Sequence, residues 1–195
     1  MKIAIIRYNA GNIQSVLYAL ERMNVEATVT ADEEIIRSAD KVIFPGVGEA
    51  STTMDYLKHH KLDKLIVDLK QPVLGICLGM QLMCSYSEEG DADCLGIFNQ
   101  PVLKFNKTEN YKIPHMGWNN IYDLKSNLFN KNIENKYVYF VHSFYVPKCE
   151  NTIATCNYIE PFSAALNKNN FYATQFHPEK SGSIGEIILK NFIKL

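Results

Sequence analysis

Long apolar runs, surplus charge and paired cysteines are all missing from this 195-residue chain. No stretch approaches the ~20 apolar residues that a membrane-spanning helix needs. Lys and Arg total 20 against 21 Asp and Glu, a net charge of −1; a nucleic-acid or membrane-surface protein would carry a basic excess. The opening Met1-Lys2-Ile3-Ala4-Ile5-Ile6 meets Arg7 too soon for the apolar core of a secretory leader. The five cysteines, at positions 77, 84, 94, 149 and 156, include no C-x-x-C pair. Such an odd, scattered set suggests neither a zinc site nor a disulfide framework, and the expectation is a reduced cytoplasmic protein without a metal. No internal repeat, low-complexity tract, linker, phosphate-binding loop or Arg cluster is visible, and no organic cofactor is indicated. What is abundant is apolar side chain, 47% of residues, enough for one well-buried domain over residues 1–195.

Ile3 to Ile6 is a short continuous apolar run, as in a strand buried on both faces. After a turn at Asn9-Ala10-Gly11-Asn12, Ile13, Val16, Leu17, Leu20 and Met23 recur at helical spacing. Glu26 to Thr30 alternates like a strand, and Asp32 is placed to cap a short helix with Ile35 and Ile36 facing inward. Lys41 to Phe44 is a third strand, stopped by Pro45. Glu49 to Leu69 is helical with a break near Lys61. A strand at Pro72 to Ile76 and a helix at Leu78 to Tyr86 follow. The first ninety residues therefore read βαβαβαβα, a parallel sheet covered on both faces. Beyond them, aromatic and β-branched clusters at 102–105, 118–122, 137–141, 152–158 and 171–176 predict further strands, several of them antiparallel. Ile184, Ile187, Ile188, Phe192 and Ile193 predict an amphipathic closing helix. The predicted class is α/β, with a mixed, mostly parallel sheet flanked by helices.

Reactive groups in such sheets gather at the carboxyl ends of the strands, and three turns there carry chemistry. Gly75-Ile76-Cys77-Leu78-Gly79-Met80-Gln81 is a strand, a tight turn and a helix start with a sulfur at the apex. This is the layout of a nucleophile elbow, and a helix N-terminus favours the thiolate. A free thiol is mostly protonated at neutral pH and needs a base. His177 follows the last predicted strand, with Glu179 two residues on; positions i and i+2 of an extended segment point the same way, and Pro178 biases His177 toward that geometry. A carboxylate beside an imidazole selects its tautomer and stabilises the imidazolium. In Pro45-Gly46-Val47-Gly48, the glycines make the Val47 peptides easy to reorient. Backbone N–H groups of Val47 and Gly48, with that of Leu78, could hold a developing oxyanion. Taken singly, a cysteine after an apolar run is a small core residue and a histidine beside proline a turn residue; their occurrence together at strand ends is what makes them a candidate site. Cys84 falls on the apolar face of the helix and is read as core, and His59 and His60 as solvated.

Together these strings resemble the class I, triad-type glutamine amidotransferases over essentially the whole chain. Gly11-Asn12-Ile13-Gln14-Ser15-Val16, Pro114-His115-Met116-Gly117-Trp118-Asn119 and Phe140-Val141-His142-Ser143-Phe144 add to the match. The resemblance implies that Cys77 attacks the side-chain amide of glutamine, that His177 moves protons and that Glu179 orients it. It implies contacts to bound glutamine from Gln81, from Glu89 to the α-ammonium, and from the His142, Ser143 and Phe144 segment, largely through backbone groups. It further implies a heterodimer in which ammonia passes through a barrel-shaped cyclase subunit to a nucleotide-derived acceptor, with Asn12, Met116, Trp118, Tyr139 and Lys180 near that contact. Trp and Tyr are favoured interface anchors, although a lone Trp under the sheet is an equally ordinary place for Trp118. Arg7-Tyr8-Asn9 departs from the family's usual Asp-Tyr-Gly on the partner side. A glutaminase tied to an acceptor is expected to be gated, slow alone and fast with partner and acceptor. The alternatives left open are a subunit serving another acceptor synthase (anthranilate or guanylate synthesis), a stand-alone γ-glutamyl cysteine hydrolase, and a non-catalytic binding subunit.

Overall fold

The computed structural model describes residues 1–8 and 13–195. The turn at residues 9–12, and with it the interface assignment of Asn12, lies outside the described residues. The first half runs β1 (Ile3–Ile6), α1 (Ile13–Arg22), β2 (Ala27–Thr30), α2 (Glu33–Ser38), β3 (Lys41–Phe44), α3 (Ala50–His59), α4 (Leu62–Asp68), β4 (Val73–Ile76) and α5 (Leu78–Leu82). The second half runs β5 (Tyr86–Ser87), β6 (Ala92–Asp93), β7 (Pro101–Lys104), β8 (His115–Asn120), β9 (Tyr137–His142), β10 (Phe144–Tyr145), β11 (Thr152–Asn157), β12 (Pro161–Lys168), β13 (Phe171–Thr174) and α6 (Gly182–Lys194).

Among the described residues the main sheet has seven strands in the order β11-β12-β13-β4-β3-β1-β2. From β2 to β13 every neighbouring pair is parallel; β12 then pairs antiparallel with both β13 and β11. The predicted mixed, mostly parallel sheet is what forms. Its central strands feed two cores by simple alternation. Ile3, Ile5, Ile43, Leu74 and Ile76 pack on one side with Val16, Leu20, Ile188 and Phe192. Ala4, Ile6, Val42, Phe44 and Val73 pack on the other with Ile36, Met54, Leu57 and Ile66. Each fully buried Ile, Leu or Phe contributes about 1.5–3 kcal/mol of transfer free energy, so the central strands β1, β3 and β4 are held from both faces.

Local chemistry sets several boundaries as expected. Asp32 caps α2 by accepting from the Ile35 N–H at 3.0 Å. Lys61, in the left-handed region at φ 59°, separates α3 from α4. Other expectations need correction. Ile35 is not an inward residue; it is largely exposed and Ile36 alone of the pair is buried. The helix after Cys77 ends at Leu82, not Tyr86, because the carbonyls of Leu82, Met83 and Cys84 turn outward to accept from Leu95, Phe98 and Gly96. Strand β12, Pro-Phe-Ser-Ala-Ala-Leu-Asn-Lys, has no β-branched residue and no sequence signal predicted it. A two-stranded ribbon of β8 and β9 stands apart from the main sheet. Among the described residues no helix is long and apolar enough to cross a membrane.

Candidate active site

Three carboxyl ends of the parallel sheet meet at one cavity. Strand β3 runs into Pro45, β4 into Cys77 and β13 into Gln175. The cavity, about 310 Å³, is lined by Val47, Gly48, Cys77, Leu78, Gln81, Glu89, Pro114, Val141, His142, Ser143, Phe144 and His177. Every residue assigned from sequence to oxyanion or substrate contact therefore faces the same hollow as the sulfur. A larger hollow of about 760 Å³ lies at the opposite, amino ends of β1 and β2 and gathers no nucleophile–base pair.

Cys77 occupies the junction of β4 and α5 with φ 53° and ψ −106°. A non-glycine residue at positive φ is costly and persists only where its surroundings over-determine it. Here its N–H donates to Thr174 O at 2.7 Å, tying the elbow to β13. The neighbouring turn is equally constrained. A Cβ on Gly79 would stand 2.1 Å from the Phe44 carbonyl oxygen, and one on Gly46 would stand 2.4 Å from Gly79 N. Only glycines let the two turns pack backbone to backbone. Leu78 opens α5, so its N–H is among those a helix start leaves without an intrahelical acceptor. Tyr8, buried beneath the same turn, donates its hydroxyl to the Pro45 carbonyl; burial first, and then Cys77, raise its pKa.

His177 and Glu179 are both buried, and His177 Nδ1 lies 2.7 Å from Glu179 Oε1. The expected extended segment is only half right. His177 is extended, but Pro178–Lys180 forms a 3-10 turn, and that turn brings the carboxylate back onto the ring. Helix α6 presses against it so closely that a Cβ on Gly185 would stand 1.8 Å from Pro178 O. Burial pulls the His177 pKa down, but interactions with Cys77 and Glu179 outweigh it and the net shift is upward. His177 Nε2 is buried and has no nitrogen or oxygen partner, and Cys77 is the neighbour that raises its affinity for a proton. The sulfur itself points at the Val141 carbonyl, 3.9 Å away, and receives Gln175 Nε2 at 3.7 Å.

Glu89 is half-buried, and its Oε2 accepts from the Ala50 N–H at 3.0 Å. Burial raises its pKa against that hydrogen bond. No Lys, Arg or His pairs with it among the described residues; a carboxylate in this state suits an incoming ammonium. Gln81 spends both amide hydrogens internally, on Phe144 O and Gln175 Oε1, each at 3.0 Å, which leaves its oxygen for a ligand. His142 turns its ring into the wall, with Nδ1 2.7 Å from Phe144 O and Nε2 3.0 Å from His115 Nδ1.

The ribbon's outer face answers the question about Trp118. Met116 (62% exposed), Trp118 (56%) and Tyr137 (58%) project to solvent, while His115, Val138, Phe140 and His142 alternate inward. Trp118 stands edge-on to its cross-strand partner Tyr139, centroids 6.0 Å apart. Tyr139 O accepts the His177 N–H at 2.9 Å, and its N–H donates to Ser181 Oγ at 2.9 Å. Ser181 Oγ in turn donates to His177 O at 2.7 Å. Lys180 is exposed on the same turn. Sequence reasoning gave no role to Ser181 or to Gln175, which it placed only at the start of the His177 turn.

The chain matches the family described as "Glutamine amidotransferase class-I" over residues 4–195. It is 64% identical to "Imidazole glycerol phosphate synthase subunit HisH" of Bacteroides thetaiotaomicron and 62% identical to the protein of that name from Bacteroides fragilis strain YCH46, over 100% of both chains in each case. The protein of the same name from Pectobacterium atrosepticum is 45% identical, again over 100% of both chains. Among solved structures, one titled "Crystal structure of glutamine amidotransferase" aligns at TM-score 0.75 with 14% identity, covering 98% of this chain and 97% of the other. PurLQS from Thermotoga maritima aligns at TM-score 0.71 with 15% identity, covering 99% and 97%. Likeness at those identities speaks to the fold alone, and the fold agrees. The chain belongs to the class-I glutamine amidotransferase family.

Proposed function

We propose that this chain is the glutaminase subunit of imidazole glycerol phosphate synthase, hydrolysing glutamine to glutamate and ammonia for a cyclase partner in histidine biosynthesis. The supporting relatives carry that subunit name at up to 64% identity over their full length. The observation that carries the chemistry is the cavity shared by Cys77 and His177, whose ring is held from behind through Nδ1 by Glu179. The chain works as one domain over residues 1–195, in the cytoplasm.

Glutamine enters with its α-ammonium toward Glu89 and its side-chain amide over Cys77. His177 Nε2 carries the thiol's proton as an imidazolium that Glu179 stabilises, and the thiolate attacks the amide carbon. The oxyanion is held by N–H groups of Leu78 and of the Val47–Gly48 turn; losing one such donor costs about 10²–10³ in rate. The His177 proton then goes to the leaving amine, ammonia departs and a thioester remains. Water, deprotonated by His177, attacks the thioester, and glutamate and the thiol are released. Met116, Trp118, Tyr139 and Lys180 form the partner face, one strand away from the His177 turn.

The test supplies glutamine labelled with nitrogen-15 in its amide, the purified cyclase subunit and its acceptor. Label is expected in the imidazole product, with ammonia release slow from this chain alone and strongly raised by partner plus acceptor. Cys77→Ala is expected to abolish release while the protein still folds. Equal rates with and without partner would refute the gating, and label confined to solvent ammonia would refute the pairing.

A further inference from the structure

The carbonyl oxygen of Phe144 can only accept hydrogen bonds, and two side chains meet it: Gln81 Nε2 at 3.0 Å and His142 Nδ1 at 2.7 Å. That fixes the orientation of everything attached. Gln81 must present its nitrogen to Phe144 O, so its second N–H points at Gln175, whose oxygen must face it at 3.0 Å. Gln175 therefore has its nitrogen on the other side, 3.7 Å from the Cys77 sulfur. A flipped Gln175 would set two donors against each other, which a buried site does not tolerate.

The second branch is equally determined. His142 donates through Nδ1, so its Nε2 accepts from His115 Nδ1 at 3.0 Å, and His115 Nε2 accepts from Asn119 Nδ2 at 3.3 Å. Both rings are neutral Nδ1–H tautomers. The chain runs without a break from strand β8, whose outer face bears Met116 and Trp118, to the nucleophile.

We propose that Gln175 is a positioning residue for Cys77, presenting an N–H to its sulfur in an orientation imposed by Gln81, the Phe144 carbonyl and the neutral His142–His115 pair. This rests on the glutaminase reading of the same pocket. The thiol has its hydrogen directed at Val141 O, and Gln175 occupies a lone pair of the sulfur. When the proton leaves for His177, the Gln175 N–H is already aimed at the charge that appears. A donor to the charged form favours it, and hydrogen bonds to ionised groups are worth about tenfold to a hundredfold.

Gln175→Glu tests this. It keeps the size of the side chain and the oxygen that Gln81 needs, but replaces the donor at the sulfur with a carboxylate oxygen. With the full chain bound to its cyclase subunit, kcat for glutamine hydrolysis is expected to fall by about tenfold to a hundredfold with KM within about threefold. In the absence of glutamine, iodoacetamide labelling of Cys77 at neutral pH, quantified by peptide mass, is expected to slow by about tenfold. Gln175→Met, which also removes the donor, decides by the same readouts if Gln175→Glu fails to fold. Wild-type labelling and kcat in the folded variant, or a change in KM alone, would overturn the proposal. Labelling needs no substrate, so it stands apart from the glutaminase reading, which fails if the wild-type complex releases no ammonia.

Discussion

Two histidine environments border one cavity and drive their rings in opposite directions. At the triad turn, burial alone would lower the His177 pKa, but Cys77 and Glu179 raise it to about 10. In the ribbon wall, His115 and His142 are buried and fall to about 4 and about 3, by desolvation first and, for His142, by repulsion from His115 and then His177. A buried imidazole becomes a proton carrier where a carboxylate is built against it and a rigid neutral link where a backbone carbonyl is. The fold puts the first on a 3-10 turn and the second on a strand, and the difference in partners sets the difference in use.

The largest effect is expected from erasing that difference. Glu179→Gln keeps the shape but removes the charge, leaving Cys77 as the one group that still holds the His177 pKa up against burial. Glutaminase kcat is expected to fall about 10²–10⁴-fold, the range for a mispositioned acid–base partner, with nuclear magnetic resonance titration showing the His177 pKa move downward. An unchanged pKa would break the comparison.

A smaller effect should separate the two faces of the ribbon. Trp118→Ala lies on the outer face, opposite to the histidines. Cyclase affinity measured by titration calorimetry is expected to weaken about tenfold to a hundredfold, as for an aromatic anchor. Thermal stability should move by no more than about 0.5 kcal/mol, as for an exposed position. A large loss of stability with intact affinity would mean that Trp118 serves the fold.

The mildest test is the pH dependence of stability. A raised folded pKa gives His177 a stabilising contribution that is complete below pH 6.5 and fades as pH rises toward about 10. The lowered pKa values of His115 and His142 give contributions that are complete above pH 6.5 and fade as pH falls toward about 4 and about 3. Thermal melts are expected to decline on both sides, and Glu179→Gln to flatten only the alkaline side. Persistence of that alkaline decline in the variant would assign it to another group.

Much of this was legible from sequence because it is local. Cys77 between two glycines, His177 with Glu179, and the continuous apolar runs of β1, β3 and β4 each announce themselves within a few residues. What was illegible depends on distant pairing. Strand β12 is a strand because β11 and β13 flank it, not because Phe162-Ser-Ala-Ala-Leu prefers to be extended. Gln175 meets Gln81 across 94 positions and Cys77 across 98, and no spacing rule reaches that far. Whether Trp118 faced solvent or core depended on which side of the ribbon covers the sheet, and one strand's alternation has no means of choosing.

The contact between Gly46 and Gly79 has a consequence for what this pocket can learn. With no side chain between them, the backbone at Gly46 lies directly against the start of the helix beside the sulfur. A side chain at either glycine would push the two turns apart, so neither position tolerates a larger residue. A variant meant to take a longer or branched amide would have to recut the opposite wall, residues 142–144, and leave those two glycines untouched.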